Sequence, residues 1–361
     1  MRAGAISVAL VVMFGCNQTT TGAIKSPSPI PSASPTSSAV PCPSASSYGL
    51  LIVASRLEMI GPTGCIRASA GVNAPSVRTC ADGLPALLAP PVSASNTRVY
   101  FRDGDTRIRS LKDDQQIADV TTVPGNTTTL SFFSVSPDDQ RIAVVVEDLA
   151  PAETIGLRIY VEDLVGGGHH ADIYASTIPK GGGLTLWPMG WHQGALVMAV
   201  VLGCSVIPIA SPSEWHVVNA MTAIRMATLP GSATRCMAGF WQSPVGVACS
   251  IDNTTFVNDW AGKLLTQDSY AIPPEQAQLS PSGASAAIDY NGGDGWGGQG
   301  PHTDGIMFGH RGLIILPGHE SCLWIDDGSL LAPDAVIAYP SGTVAALPEV
   351  GQCAGRFPGG L

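Results

Sequence analysis

Residues 289–305 bring together the densest set of side chains able to do chemistry in this 361-residue chain. Asp289, Asp294 and Asp304 supply carboxylates, His302 an imidazole, Tyr290 and Trp296 aromatic rings, and seven glycines let a ligand approach the backbone closely. Calcium takes six to eight oxygens in flexible geometry, so it is the ion such a loop would hold. The spacing follows neither the EF-hand nor the nonapeptide calcium pattern, and a surface loop with solvated acids is the plainer reading. Trp296 in a loop also suits a protein partner, since aromatic anchors dominate interfaces. No other cofactor is expected.

The remaining candidates point away from catalysis. His169 and His170 follow three glycines in what reads as an exposed hairpin turn. His319 and Cys322 are two ligands short of a zinc site, and there is no Cys-x-x-Cys. Trp187, Trp191, Trp241 and Trp324 lie in apolar strand contexts and read as core. The chain has no Gly-x-Ser-x-Gly elbow, no His-Glu-x-x-His pair and no phosphate-binding Gly-x-x-x-x-Gly-Lys. Binding is therefore the expectation. The alternative is an enzyme or small-ligand binder, acting on carbohydrate or another extracellular substrate, whose site is assembled at a central channel.

The elements that must position these residues are short strands. Apolar residues make up 45% of the chain, charged residues only 13%, and turn formers are abundant (Gly 41, Pro 29), with no long run at helical spacing. A phrase recurs: a serine, a turn, then an apolar strand. It reads Ser-Pro-Asp-Asp-Gln-Arg-Ile-Ala-Val over 136–144, and in degraded form over 93–101 and 280–288. Strands after such turns are anchored near Leu51, Arg98, Arg141, Ala195, Val245, Gly283 and Ser329, at intervals of 47, 43, 54, 50, 38 and 46 residues. Repeats of this length indicate a propeller or a solenoid.

The phrase at 136–144, followed by Leu-Arg-Ile-Tyr-Val-Glu-Asp-Leu over 157–164, resembles the TolB-like and WD40-like β-propeller repeats. The resemblance implies an all-β, seven-bladed propeller of four-stranded antiparallel blades over 48–361, closed by the C-terminal strand; six or eight blades are the alternatives. It also implies that the connections at 148–156, 204–214 and 290–302 share one face. That face would meet an envelope or extracellular protein.

The N-terminus sets the address. Arg2, the apolar run 5–14 and the sequence Met-Phe-Gly-Cys at 13–16 resemble a bacterial lipoprotein signal, in which Cys16 is lipidated and anchors the chain outside the cytoplasm. An ordinary signal peptide or an uncleaved anchor is the other reading. Residues 17–47, 19 of 31 of them Ser, Thr or Pro, read as a disordered tether. A net charge of −10 excludes a nucleic-acid footprint. Nine cysteines leave eight once Cys16 is set aside, an even number suited to disulfides in an oxidising compartment. Sequence proximity suggests Cys65 with Cys80, a pair among Cys204, Cys236 and Cys249, and Cys322 with Cys353, which would lock the last blade to the closing strand.

Overall fold

The computed structural model describes residues 42, 47–76, 92–180, 182–203, 212–234, 236–238, 243–252, 254–269, 276–290, 305–308, 315–317, 319, 322–354 and 361. The described residues build antiparallel strands in runs of four, and the chain is an all-β propeller. In chain order the sheets span 49–71, 92–122, 129–179, 184–230, 237–317 and 323–346, and Gln352–Cys353 returns to join the first.

Among the described residues six sheets form, so the propeller has six blades and not the expected seven. The sheet at 237–317 has eight strands and consists of two four-stranded antiparallel halves. They are joined by a single parallel pair, Ala238 with Ala277. The strand Met237–Ala238 has only two residues, and its free edge takes the neighbouring strand Gln276–Leu279 as a partner. Repeat spacing counts strands; it does not report hydrogen bonds between repeats. Every predicted anchor nevertheless falls within, at or just before the second strand of a four-stranded run.

The serine phrase recurs because its hydrogen bonds recur. Ser136 N donates to Arg141 O while Ser136 Oγ accepts from Arg141 N. Ser95 with Arg98 and Ser280 with Ser285 repeat that exchange. Asp139 (φ 60°) and Gly283 (φ 75°) take the left-handed position in the second and third of these turns along the chain. These turns also bond to the next one along: Asn96 N donates to Pro137 O at 3.0 Å, and Ser282 N donates to Asp327 Oδ1 at 2.9 Å. The acids at 138–139 and 326–327 thus serve the turns, as turn chemistry predicts.

Burial follows from the strand period of two. Along the second strands nearly every residue is buried on both faces, as in Arg141–Asp148 and Ala195–Leu202. The last strand of a run, such as Ile117–Thr122, is largely exposed. Successive residues feed different cores. Leu50 packs with Val92, Val99 and Phe101 of the second sheet, whereas Leu51 lies in the cluster that holds Trp324 and Leu331 of the sixth. Phe133 faces Tyr100 and Ile108; Phe132 faces the fourth sheet, its ring 5.4 Å from that of Trp187. Gly49 allows the first and sixth sheets to meet, because a Cβ there would come within 2.6 Å of Leu331 Cδ2.

Trp187, Trp191 and Trp324 are core residues, as expected, and two of them also donate between neighbouring sheets or half-sheets. Trp191 Nε1 donates to Ser134 O at 3.2 Å, and Trp324 Nε1 to Gln278 O at 2.9 Å. Trp241 lies outside the described residues. Trp324→Phe keeps most of the packing and removes the donor, so a loss of about 1–2 kcal/mol is expected in chemical denaturation. A loss of 4 kcal/mol or more would mean that the ring, not the bond, carries the contact.

Three disulfides are present among the described residues. Cys65 pairs with Cys42, Cα atoms 5.7 Å apart, and not with Cys80. The turn that holds Cys65, from Gly61 onward, faces the chain entering the domain, a neighbour that sequence distance does not reveal. Cys236 pairs with Cys249 and Cys322 with Cys353, as expected. Cys80, Cys204 and Cys16 lie outside the described residues. The bridges mark a chain that folds in an oxidising, extracytoplasmic compartment. Among the described residues no helix is long and apolar enough to cross a membrane.

Candidate functional site

Of the loop singled out from sequence, Asp289 and Tyr290 end the strand Ala286–Tyr290, where they pair through the backbone with Ile306 and Gly305. Asp294, Trp296, His302 and Asp304 lie outside the described residues. Among the described residues no group of three or more metal-binding side chains converges. His169 Nδ1 sits 2.7 Å from Asp163 Oδ2 and His170 Nδ1 2.7 Å from Glu162 Oε2, so the two rings turn to different acids across the exposed hairpin. His319 meets Asp334 at 3.1 Å, while Cys322 is held in its disulfide.

The structure places a better-formed site elsewhere. Between the third and fourth sheets lies a cavity of about 320 Å³, at the small end of ligand pockets. It lies between two neighbouring sheets. Leu157 and Ile159, from the strand Thr154–Asp163, form one wall with Ile173 and Ile178 of Ala171–Pro179. Leu196, Met198 and Val200 form the facing wall. They project from one side of Ala195–Leu202 because alternate residues share a face.

The same alternation places Glu214, His216 and Val218 of the next strand on that side, opposite Val200, Met198 and Leu196. Glu-Trp-His at 214–216 therefore puts its two polar groups into the cleft and Trp215 into the core behind it. His216 Nε2 lies 2.5 Å from Glu214 Oε1. A carboxylate can only accept, so Nε2 carries the proton and Nδ1 is left as an acceptor. Burial holds the His216 pKa below the ordinary imidazole range and Arg225 lowers it further, against the bond to Glu214. Arg225 is exposed at the far end of the cleft, paired through its backbone with Val218.

The ends of the strands that carry the lining are tied together. Lys180, itself buried, donates from Nζ to Leu149 O at 2.8 Å, and Lys180 N donates to Glu153 O at 3.0 Å. Gly203 N reaches Gly183 O at 3.0 Å. Behind the lining, the Thr185 hydroxyl donates to Glu147 Oε1, and Glu147 Oε2 has no partner. Glu147 is wholly buried, and desolvation pushes its pKa up to about 7 against the Thr185 bond.

None of Glu147, Glu214, His216 or Arg225 stands out from sequence. The one available signal was a Glu-x-His alternation on a strand, which places both on one face; which sheet that face meets is a matter of tertiary packing.

The fold and this cleft define a disulfide-bonded β-propeller. No family model and no curated protein matches the sequence. Among solved structures the chain is similar to an oligogalacturonate lyase in complex with manganese, at 8% identity and a TM-score of 0.41, covering 81% of this chain and 70% of that one. It is also similar to a europium-containing methanol dehydrogenase, at 10% identity and a TM-score of 0.42, covering 87% and 78%. These likenesses are of outline, and nothing about the site or an activity is taken from them.

Proposed function

We propose that the chain is an extracytoplasmic binding scaffold, anchored through a lipid on Cys16 and the tether at 17–47, which presents one loop-rich end of the propeller to an envelope or extracellular protein. The carrying observation is where the long connections fall. Between the second and third strands of a run, the chain spends two or three residues at 54–55, 104–106, 252–253 and 332–334. At 149–153, 203–213 and 291–304, the same position spans five, eleven and fourteen residues. In an up-and-down sheet these connections leave by the same end, and added length concentrated there is how a rigid scaffold carries a recognition surface. The aromatic and acidic residues Tyr290, Asp294, Trp296, His302 and Asp304 fall at or within the longest of them. Closure of the ring by the C-terminal strand belongs to this reading. It is supported by the pairing of Leu51 with Cys353 and by the Cys322–Cys353 bridge.

The test is site-specific photocrosslinking in the native envelope. A photoreactive residue at position Ala152, in the connection 149–153, is expected to give a discrete protein adduct. One at Gly166, in a turn at the opposite end of the same strands, is expected to give none. Equal adducts from both ends, or none from either, would remove the basis for a dedicated face.

A further inference from the structure

We propose that the cleft between the third and fourth sheets is a binding site for a free medium-chain carboxylate, its head group on Arg225 and its hydrocarbon chain along the apolar walls. This goes beyond the scaffold role and does not depend on it. Three features of the cleft carry the assignment.

The walls come first. Leu157, Ile159, Leu196 and Met198 are each at most 4% exposed and belong to the main core, yet they border about 320 Å³ that no side chain fills. The cleft opens to solvent between Tyr174, Leu184 and Arg225, and its apolar floor favours an apolar guest over water.

Shape comes next. Along the strand Glu214–Asn219 the lining positions of the cleft run from Glu214 to Val218, the backbone partner of Arg225. Four residues of strand cover about 13 Å. That length accommodates a linear chain of about ten carbons.

Charge decides the head group. Glu214 is already engaged by His216. Arg225, at the opposite end, makes no ion pair among the described residues. An anionic head at Arg225 gains a charge-assisted bond that an alcohol or amine would not. An amine or a second positive group would meet repulsion there.

The experiment titrates the full mature protein with sodium decanoate, below its micelle concentration, by calorimetry, with 1-decanol and decylamine alongside. Wild type is expected to bind decanoate at one saturable site. Arg225→Gln should weaken decanoate about tenfold or more and leave 1-decanol unchanged. Ile178→Trp, which grows into the cavity from its wall, should weaken both; Val350→Trp, on an exposed position elsewhere, should weaken neither. No saturable decanoate binding to wild type, or equal decanoate affinity of wild type and Arg225→Gln, overturns the assignment. Should Ile178→Trp fail to fold, amide exchange of wild type with and without decanoate decides the same question. Protection confined to Ala171–Pro179 and Glu214–Asn219 supports the site, and unchanged exchange in those strands overturns it.

Discussion

Folding stability should fall by about 3 kcal/mol as pH rises from about 5 to about 8, and Glu147→Gln should remove that fall. Glu147 is wholly buried, and its pKa rises from 4.5 to about 7 because desolvation disfavours the carboxylate. A folded-state pKa above the unfolded one means that the native state holds the proton more tightly. Its contribution is complete below about pH 4.5 and is lost as pH climbs through about 7. The structural cause is visible. Thr185 Oγ1 satisfies one carboxyl oxygen, whereas Oε2 has none, so ionisation leaves a buried charge with half its partners. Glutamine keeps the acceptor for Thr185 and carries no charge, which isolates this group from the general titration of a chain of net charge −10. Urea denaturation of both proteins at intervals across this range measures it. A wild-type curve parallel to that of the variant would show that Glu147 stays ionised in the fold.

The second large effect concerns the C-terminal strand. Replacing Cys322 and Cys353 by serine should cost about 4 kcal/mol, the loop-entropy value for a sequence separation of 31 residues. The same substitution of Cys236 and Cys249, separated by 13, should cost about 3 kcal/mol. The first pair does more than shorten a loop. Cys353 belongs to a two-residue strand bonded to Ile52 and Leu51, and Ala354 N donates to Leu50 O at 3.0 Å. So short a ladder has little cooperativity of its own, and the bridge to Cys322, at the head of the sixth sheet, keeps it in register. Amide exchange at Ala354 and along Gly49–Val53 should therefore rise selectively in the Cys322/Cys353 variant. A loss below about 1 kcal/mol, with unchanged exchange there, would mean that packing of Leu51 against the sixth sheet holds the strand unaided.

Much of the scaffold was legible because it is written in local chemistry. A serine followed by Pro-Asp-Asp and a β-branched run makes the same turn and strand wherever it occurs, and its neighbour-to-neighbour bonds need nothing beyond those residues. The core tryptophans followed from their apolar strand contexts, and the bridge between Cys322 and Cys353 from their proximity in sequence. Proximity in sequence misled where the partner arrives from elsewhere: Cys65 meets Cys42, and the two-residue strand at Met237–Ala238 borrows an edge from Gln276–Leu279 and merges two runs into one sheet.

The amino-acid sequence by itself determined an all-β chain of repeated four-stranded runs, its turn residues, its exported and oxidised character and the positions of its long connections, because each depends on neighbours a few residues apart. Only the tertiary structure decided how many sheets those runs form and where a cavity opens. It alone set which buried carboxyl oxygen lacks a partner and which arginine faces an apolar cleft. Those depend on how two facing walls, some forty residues apart in the chain, leave a cleft between them, and strand periodicity says which way a side chain points without saying what it will meet.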